Sequence, residues 1–313
     1  MSSFFGKVTL KVKIAMIGIG SVLITAVALV SLTVWQSSLY NTLAQREVQA
    51  LIDSNLDSIT MGIYNLVRTE DEAVQQQVDF NLNVARSVLE KSGGLSLGDR
   101  AVSWNAVNQF SGETVRIDLP AMLAGGRWLG QNTDMKTDSL IVDEVSALVG
   151  DTATIFQLMN PSGDMLRVST NVSDSSGNRA IGTYIPAVNP DGTENKVIAS
   201  IMRGETYHGR AYVVNNWYLT AYEPVTDRKG SLIGMLYVGV RQDRVEERLR
   251  HAILQTTVGK TGYVYVLAGS GEKQGHYIIS WKGERDDEDI WDTRDIHGNY
   301  VIRDIIKKAI ALG

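Results

Sequence analysis

Residues 204–240 read GETYHGRAYVVNNWYLTAYEPVTDRKGSLIGMLYVGV, and this stretch decides the fold. It contains three runs rich in β-branched and aromatic residues, Tyr207–Val214, Trp217–Val225 and Leu232–Val240. Turn-forming residues separate the runs, first Asn215-Asn216 and then Asp227-Arg228-Lys229-Gly230. Strand-forming runs with short turns between them predict three consecutive antiparallel strands.

The segment before this stretch supplies two more strands and two helices. Thr152–Met159 and Met165–Val172 flank the turn residues Asn160–Gly163, which predicts a hairpin. Short helices are predicted over Val142–Val149 and Lys196–Met202. Two strands, a helical crossover and three strands make a five-stranded antiparallel sheet, so the fold class is α+β.

The segment after the sheet begins the same plan again. Arg241–Val258 is predicted as an amphipathic helix, Gly262–Leu267 and His276–Ser280 as paired strands, and Ile302–Leu312 as a helix. The chain ends where three further strands would follow. We therefore expect an incomplete second module of the same type.

The N-terminal region contains a candidate membrane span. Ile14–Trp35 is 22 residues long and carries no charged side chain, and a helix of about 20 apolar residues crosses a bilayer. Lys7, Lys11 and Lys13 precede it, so the positive-inside rule predicts a cytoplasmic N-terminus. The triplet Ala26-Val27-Ala28 leaves a cleaved signal peptide as the alternative.

A long helix follows the span. Apolar residues recur at helical spacing over Leu51–Leu89, with one shift of the stripe near Val67, and Ser92-Gly93-Gly94 predicts the end of the helix. A helix of this length predicts a stalk that pairs with a second copy of the chain, which makes the protein a homodimer.

Composition excludes several classes of function. Thirty basic and 35 acidic side chains give a net charge of −5, which argues against a nucleic-acid partner. The absence of cysteine excludes thiolate chemistry. The four histidines lack metal-ligand spacing, and Asp286–Asp289 is expected to be a solvated acidic loop. With no nucleophile–base pair or cofactor loop either, we expect no metal, no cofactor and no enzymatic activity.

Five segments resemble the Cache 3/Cache 2 fusion sensors (extracellular PAS-like modules) of bacterial methyl-accepting chemotaxis receptors. They are residues 152–170, 178–186, 204–240, 259–267 and 285–300, and the resemblance extends over about residues 40 to 313. It implies the following regions: a cytoplasmic N-terminus (1–13), a transmembrane helix (14–35), a stalk helix (36–92), a membrane-distal ligand-binding module (93–240) and a partial membrane-proximal module (241–313).

The same resemblance implies a periplasmic sensor, anchored once in the bacterial inner membrane, that binds a small molecule. Intact receptors of this type carry a second membrane helix and a signalling domain, and neither follows the partial module here. The same sensor could serve a histidine kinase or a cyclic-nucleotide enzyme. A truncated receptor that acts only as an interaction protein is the other alternative.

The candidate site is centred on Arg167, an arginine inside a β-branched strand, because a buried guanidinium requires an anion. Related citrate and C4-dicarboxylate sensors carry Arg-x-x-His at this strand, whereas Thr170 takes the fourth position here. A guanidinium binds a carboxylate through two parallel hydrogen bonds, which predicts an organic anion as ligand. The alternative is a surface salt bridge for Arg167. The other predicted ligand-binding residues are polar or aromatic positions of the last three strands: Arg210, Tyr212, Tyr218, Thr220, Tyr222 and Tyr237.

Overall fold

The computed structural model describes residues 10–214 and 216–312. The chain forms two compact units, residues 1–64 and residues 65–313. Most of the predicted cytoplasmic segment 1–13 lies outside the described residues, because residues 1–9 and the side chains of Lys11 and Lys13 are not described.

The first unit is helical from residue 10. Helix α1 (Leu10–Lys91) contains both the predicted span and the predicted stalk. Within the described residues it is the one helix long and apolar enough to cross a membrane, and its apolar window is not buried in the protein. This agrees with a membrane span, because side chains that face lipid have no protein partner. Ile59 and Ile63 of the predicted stripe are half-buried, whereas Ile52 and Leu56 are exposed.

The second unit begins inside α1, at Asn65. The part of α1 that belongs to this unit packs on a sheet through an apolar stripe. Val74, Val78, Leu82, Ala85 and Leu89 are buried in one core with the sheet, which is the stripe that the periodicity predicts. The helix ends as predicted. The amide of Gly94 donates to the carbonyl of Leu89 at 3.0 Å, and Gly93 and Gly94 have φ of +90° and +73°.

The sheet has nine strands in the order β3-β2-β1-β6-β5-β4-β9-β8-β7. The five predicted strands are confirmed as β4 (Thr152–Leu158), β5 (Met165–Thr170), β7 (Tyr207–Val213), β8 (Asn216–Thr226) and β9 (Leu232–Arg241). The predicted helices are confirmed as α2 (Val142–Val149) and α3 (Lys196–Met202). Asn195 caps α3 by accepting hydrogen bonds from the amides of Val197 and Ile198.

The five predicted strands are neighbours in the sheet and pair antiparallel, as predicted, but the sheet extends beyond them. Four strands extend the sheet, namely β1 (Leu95–Asn108), β2 (Thr114–Ala124), β3 (Arg127–Trp128) and β6 (Thr183–Ile185). In addition, β1 pairs with β6 in parallel, so the sheet is mixed. Strand β1 forms because Val102, Trp104 and Ala106 are buried on one face while the residues between them are exposed.

The central strands β4, β5 and β9 are buried on both faces of the sheet. One face packs on α1, with Ala221, Leu236 and Val238 among the buried residues. The other face packs on α3, with Phe156, Tyr222 and Tyr237 among the buried residues. A polar side chain that faces α3 is therefore shielded from water.

The C-terminal segment is built from short elements. Helix α4 (Gln242–Leu254) ends before Thr257–Val258, which form strand β10 instead of the last turn of the predicted helix. The predicted strand Gly262–Leu267 is divided into β11 (Gly262–Tyr263), which pairs with β10, and β12 (Val266–Leu267), which pairs with β13 (Tyr277–Ile279). The last predicted helix is confirmed as α5 (Val301–Leu312). Ile290, Ile302 and Ile306 form a small core of their own.

Candidate functional site

Arg167 lies in the middle of β5 and is 1% exposed. Its register partner on β4 is Phe156, and its guanidinium carbon lies 4.9 Å from the centre of the Phe156 ring. Nη1 donates to the hydroxyl of Thr183 and, at 3.5 Å, to the carbonyl of Ala180. Nε is buried and has no hydrogen-bond partner. The alternative of a surface salt bridge is therefore wrong, and the guanidinium keeps an unused donor inside the protein.

Tyrosine rings cover the same face of the sheet. Tyr222 and Tyr237 are register partners, with ring centres 4.9 Å apart, and the Phe156 ring centre lies 6.3 Å from that of Tyr222. Tyr218 lies two residues from Thr220 and four from Tyr222, so the three residues share this face. The structure thus brings Arg167 together with the predicted residues Tyr218, Tyr222 and Tyr237.

The electrostatics of this group favour an anionic guest. Burial lowers the pKa of Arg167, while Tyr222, Tyr237 and Tyr218 act to raise it. Arginine titrates only above about pH 12 in water, so the group remains a cation at neutral pH. Burial also raises the pKa of Tyr222 and of Tyr237, so both hydroxyls stay protonated and can donate. Within residues 10–214 and 216–312, no carboxylate forms an ion pair with Arg167.

A second buried arginine shows what a structural arginine looks like in this protein. Arg179 is 3% exposed, and its two terminal nitrogens donate to the carboxylate of Asp143 at 2.9 and 2.7 Å. It also donates to the carbonyls of Thr170, Asp134 and Thr137. Arg179 is therefore satisfied by the protein, whereas Arg167 is not.

Three of the predicted site residues already have hydroxyl partners within the protein. The hydroxyl of Tyr237 lies 3.3 Å from that of Thr152. The hydroxyls of Thr170 and Thr154 lie 2.5 Å apart, and that of Thr170 also accepts from the amide of Val172 at 3.0 Å. The hydroxyl of Thr220 donates to the carbonyl of Gly209 at 2.8 Å. Both threonines lie on the correct face, but their hydroxyls are engaged in binding the strands together.

A cavity of about 440 Å³ opens beside the tyrosines. Its walls come from β7, β8, the start of α3 and the end of β1. Tyr222 lines it and also contacts the Tyr237 ring, so the cavity borders the group around Arg167. The cavity has the size and the mixed aromatic and polar lining of a small-molecule site.

Arg210 and Tyr212 line this cavity although they belong to the other face of the sheet. They pair with Leu219 and Trp217, so by register they do not share a face with Tyr218, Thr220 and Tyr222. Both nevertheless line the cavity, because β7 is the edge strand of the sheet. The guanidinium of Arg210 lies 4.2 Å from the Trp217 ring centre. Trp217 also lines the cavity and is 46% exposed.

Some residues of this region are not found by sequence reasoning. Thr183 of β6 holds the Arg167 guanidinium, and Gln109 at the end of β1 lines the cavity. Thr183 is placed by the pairing of β6 with β5, and Gln109 by the pairing of β1 with β6. The sequence signal for β1 is the alternation of apolar and polar residues over 102–106. In the part of the chain that the structure describes, no cluster of side chains is suited to a metal ion.

The model of the Cache 3/Cache 2 fusion domain family matches residues 41–312. The chain belongs to this family. The match includes α1 from Asn41 onward, the whole nine-stranded sheet and the short elements through α5. No curated protein sequence matches this Cache chain.

Solved sensor domains show similarity to parts of the Cache chain. The sensor domain of E. coli DcuS is 16% identical, with a TM-score of 0.25, over 35% of this chain and 69% of that domain. The ligand-binding domain of the Campylobacter jejuni chemoreceptor Tlp3, solved with 4-methylisoleucine, is 15% identical, with a TM-score of 0.24, over 37% of this chain and 42% of that domain. A methyl-accepting chemotaxis protein X is 14% identical, with a TM-score of 0.23, over 54% of this chain and 64% of its own. The Cache chain spans less than half of the Tlp3 domain.

Proposed function

We propose that this chain is the periplasmic sensory region of a membrane-anchored bacterial chemoreceptor, and that it binds a small carboxylate and transmits a conformational signal without catalysing a reaction. Membership of the Cache 3/Cache 2 family supports the sensory role. The exposed apolar helix supports the membrane anchor. Lys7, Lys11 and Lys13 on its N-terminal side support a cytoplasmic N-terminus.

The observation that carries the proposed ligand class is the state of Arg167. A buried cation without a carboxylate partner is costly, and an incoming anion offsets that cost. The unpaired Nε provides a hydrogen bond for one oxygen of such an anion. The protonated hydroxyl of Tyr222 provides a further donor, because its raised pKa keeps it neutral. The hydroxyl of Tyr237 already pairs with that of Thr152 at 3.3 Å.

A route from the site to α1 supports the signalling role. Glu223 follows Tyr222 on β8 and forms a two-pronged ion pair with Arg86 of α1. On β7, Nε2 of His208 lies 2.8 Å from Oδ1 of Asp79, also on α1. A ligand that favours one position of β7 and β8 would therefore favour one position of α1. Such a ligand shifts the equilibrium by its difference in affinity for the two states.

The ligand class can be tested by titrating the full chain, in lipid nanodiscs, with mono-, di- and tricarboxylates. Each acid is compared with its uncharged amide. At 100 times its dissociation constant, a ligand stabilises the folded state by about 2.7 kcal/mol. We expect a carboxylate, and not its amide, to raise the unfolding temperature. Arg167→Lys should weaken this ligand at least about tenfold, because an ammonium does not reproduce the guanidinium fork.

Arg228→Lys is the matched control, because Arg228 lies exposed in the turn between β8 and β9. It should leave binding unchanged. Failure of every carboxylate to bind, or equal binding by Arg167→Lys and the original chain, would remove the proposed ligand class.

Labelling of single cysteines tests the orientation. The chain has no cysteine, so each introduced thiol is unique. In intact cells an impermeant maleimide should label Gln131→Cys and should not label Ser2→Cys. The reverse pattern would contradict a periplasmic sensor.

A further inference from the structure

Gln109 lies where the additional strand β1 ends, at the wall of the cavity. Parallel pairing of β1 with β6 places Asn108 opposite Tyr184, and the amide of Gln109 donates to the carbonyl of Tyr184 at 3.1 Å. This pairing fixes the backbone of Gln109 beside Ile185, which lines the same cavity. The position of the glutamine is therefore set by the sheet and not by a free loop.

The side-chain oxygen Oε1 of Gln109 is buried and has no hydrogen-bond partner. A buried acceptor without a partner costs stability, and a ligand that donates to it removes that cost. Arg167 presents the opposite case, because its buried Nε is a donor without an acceptor. Tyr222 links the two groups, because it lines the cavity with Gln109 and contributes to the electrostatic environment of Arg167, which lies behind the cavity wall.

We propose that Gln109 is a specificity-determining residue that accepts a hydrogen bond from a neutral hydroxyl of the anionic ligand. This inference rests on the proposed function, because it takes the carboxylate at Arg167 as given. A ligand that satisfies both unpaired groups carries an anionic oxygen and, at another position, a donor. We take the donor that meets Gln109 as a hydroxyl and not an ammonium, because the amide oxygen is neutral and the buried guanidinium repels a second cation.

Matched pairs of acids that differ by one hydroxyl test the proposal on the full chain in nanodiscs. Suitable pairs are malate with succinate, lactate with propionate and 3-hydroxybutyrate with butyrate. In at least one pair we expect the hydroxy acid to bind about tenfold tighter or more, because a site that hydrogen-bonds a hydroxyl discriminates strongly against the analogue that lacks it. Gln109→Met keeps the length of the side chain and removes the acceptor. It should reduce that preference to about twofold or less, because it weakens the binding of the hydroxy acid and not that of its analogue.

Two further variants control for folding and for the chemistry of the acceptor. Gln109→Glu keeps acceptor oxygens, so it should keep the preference for the hydroxy acid while weakening both acids of the pair by charge repulsion. Gln255→Met replaces an exposed glutamine at the end of α4 and should change nothing.

The outcomes separate this inference from the proposed function. If carboxylates bind through Arg167 but Gln109→Met leaves the preference unchanged, the role of Gln109 is wrong and the carboxylate site remains. If aspartate or alanine binds tighter than the hydroxy acid, the donor is an ammonium and the proposal is overturned. If no carboxylate binds at all, the proposed function and the inference fail together.

Discussion

The guanidinium of Arg167 and the ring of Phe156 face each other across neighbouring strands, with 4.9 Å between the guanidinium carbon and the ring centre. This contact provides some of the stabilisation that a carboxylate would otherwise give, because the face of an aromatic ring attracts a cation. It does not satisfy the buried Nε. When no anion is bound to Arg167, this site is therefore less stable than an apolar site of the same shape.

Arg167→Met should stabilise the protein in the absence of ligand. Methionine fills a similar length without burying a charge, and replacing buried charges by packed apolar groups raises stability by about 1–4 kcal/mol in known cases. We expect a gain of about 1 kcal/mol, since the contacts with Thr183 and Phe156 are lost. Thermal unfolding of the full chain measures it. Arg228→Met should change stability by less than about 0.5 kcal/mol. A loss of stability in Arg167→Met would identify the arginine as a structural support.

Gly239→Ala should displace Tyr237. A methyl group on Gly239 would overlap the hydroxyl of Tyr237, whose ring is 1% exposed and cannot turn away into solvent. Overpacking of a buried site costs about 1–3 kcal/mol. The added methyl group would also lie 2.7 Å from Cζ of the same ring, so only removal of the ring relieves the overlap. Gly239→Ala should therefore cost little more when it is combined with Tyr237→Leu. A double-mutant cycle on unfolding free energies measures this coupling. Purely additive effects would show that the overlap is not the cause.

The core of the fold follows from local patterns in the sequence. Strands β4, β5, β7, β8 and β9 were predictable because β-branched runs alternate with turn residues, and α2 and α3 because their apolar spacing is helical. The buried position of Arg167 was predictable because its strand neighbours are apolar or β-branched. These features depend on residues close together in the chain.

The remaining features depend on pairing between distant segments. Strands β1 and β6 form a parallel pair of only two residue pairs, and no turn signal connects them. Gln109 reaches the cavity through that pairing, and Thr183 reaches Arg167 because the short strand β6 also pairs with β5, so the sequence alone did not indicate either residue. The spacing of Arg210 and Tyr212 showed in the sequence that they share one face of β7. Their access to the cavity, however, depends on β7 being an edge strand.

Asp143→Ala should strongly destabilise the distal sheet. It leaves the guanidinium of Arg179 buried without a carboxylate, and removing one partner of a buried ion pair costs about 3–5 kcal/mol. We expect about 3 kcal/mol, because three backbone carbonyls still accept from Arg179. Urea unfolding measures it. The neighbouring residue gives the control, since Glu144 is exposed and Glu144→Ala should cost about 0.5 kcal/mol through the helix dipole. Similar losses in the two variants would contradict a role for the buried pair.

Single cysteines on the stripe of the first unit should form crosslinks between two copies of the chain. Leu56 and Ile63 belong to the apolar stripe that predicts a homodimer. Met61 lies on the opposite side of the helix, because five residues beyond Leu56 correspond to about 140° of rotation. We expect oxidative dimers of Leu56→Cys and Ile63→Cys in membranes, and few of Met61→Cys. Equal crosslinking at the three positions would indicate random collision and not a defined interface.

The contact between Asp286 and Ser280 should weaken in acid. Oδ1 of Asp286 accepts from both the amide and the hydroxyl of Ser280 at 2.7 Å, and Oδ2 accepts from Arg250. Burial acts to raise the pKa of Asp286, but the hydrogen bonds from Ser280 and Arg250 outweigh it and hold the pKa below its ordinary value. A carboxyl whose pKa is lower in the folded state stabilises that state above its unfolded pKa of about 3.9, and this contribution is lost as the pH falls through the folded pKa.

Hydrogen exchange of the Ser280 amide reports this loss directly. After correction for the intrinsic exchange rate, protection should be constant from pH 7 to about pH 4 and should then decrease in more acidic solution. Asp286→Asn should lower the protection already at pH 7 and remove its dependence on pH, because an amide side chain does not titrate. Asp287→Asn is the control, since Asp287 pairs with Lys273 and is largely exposed, and it should leave the Ser280 profile unchanged. A profile that Asp286→Asn does not alter would show that the carboxylate does not hold this loop.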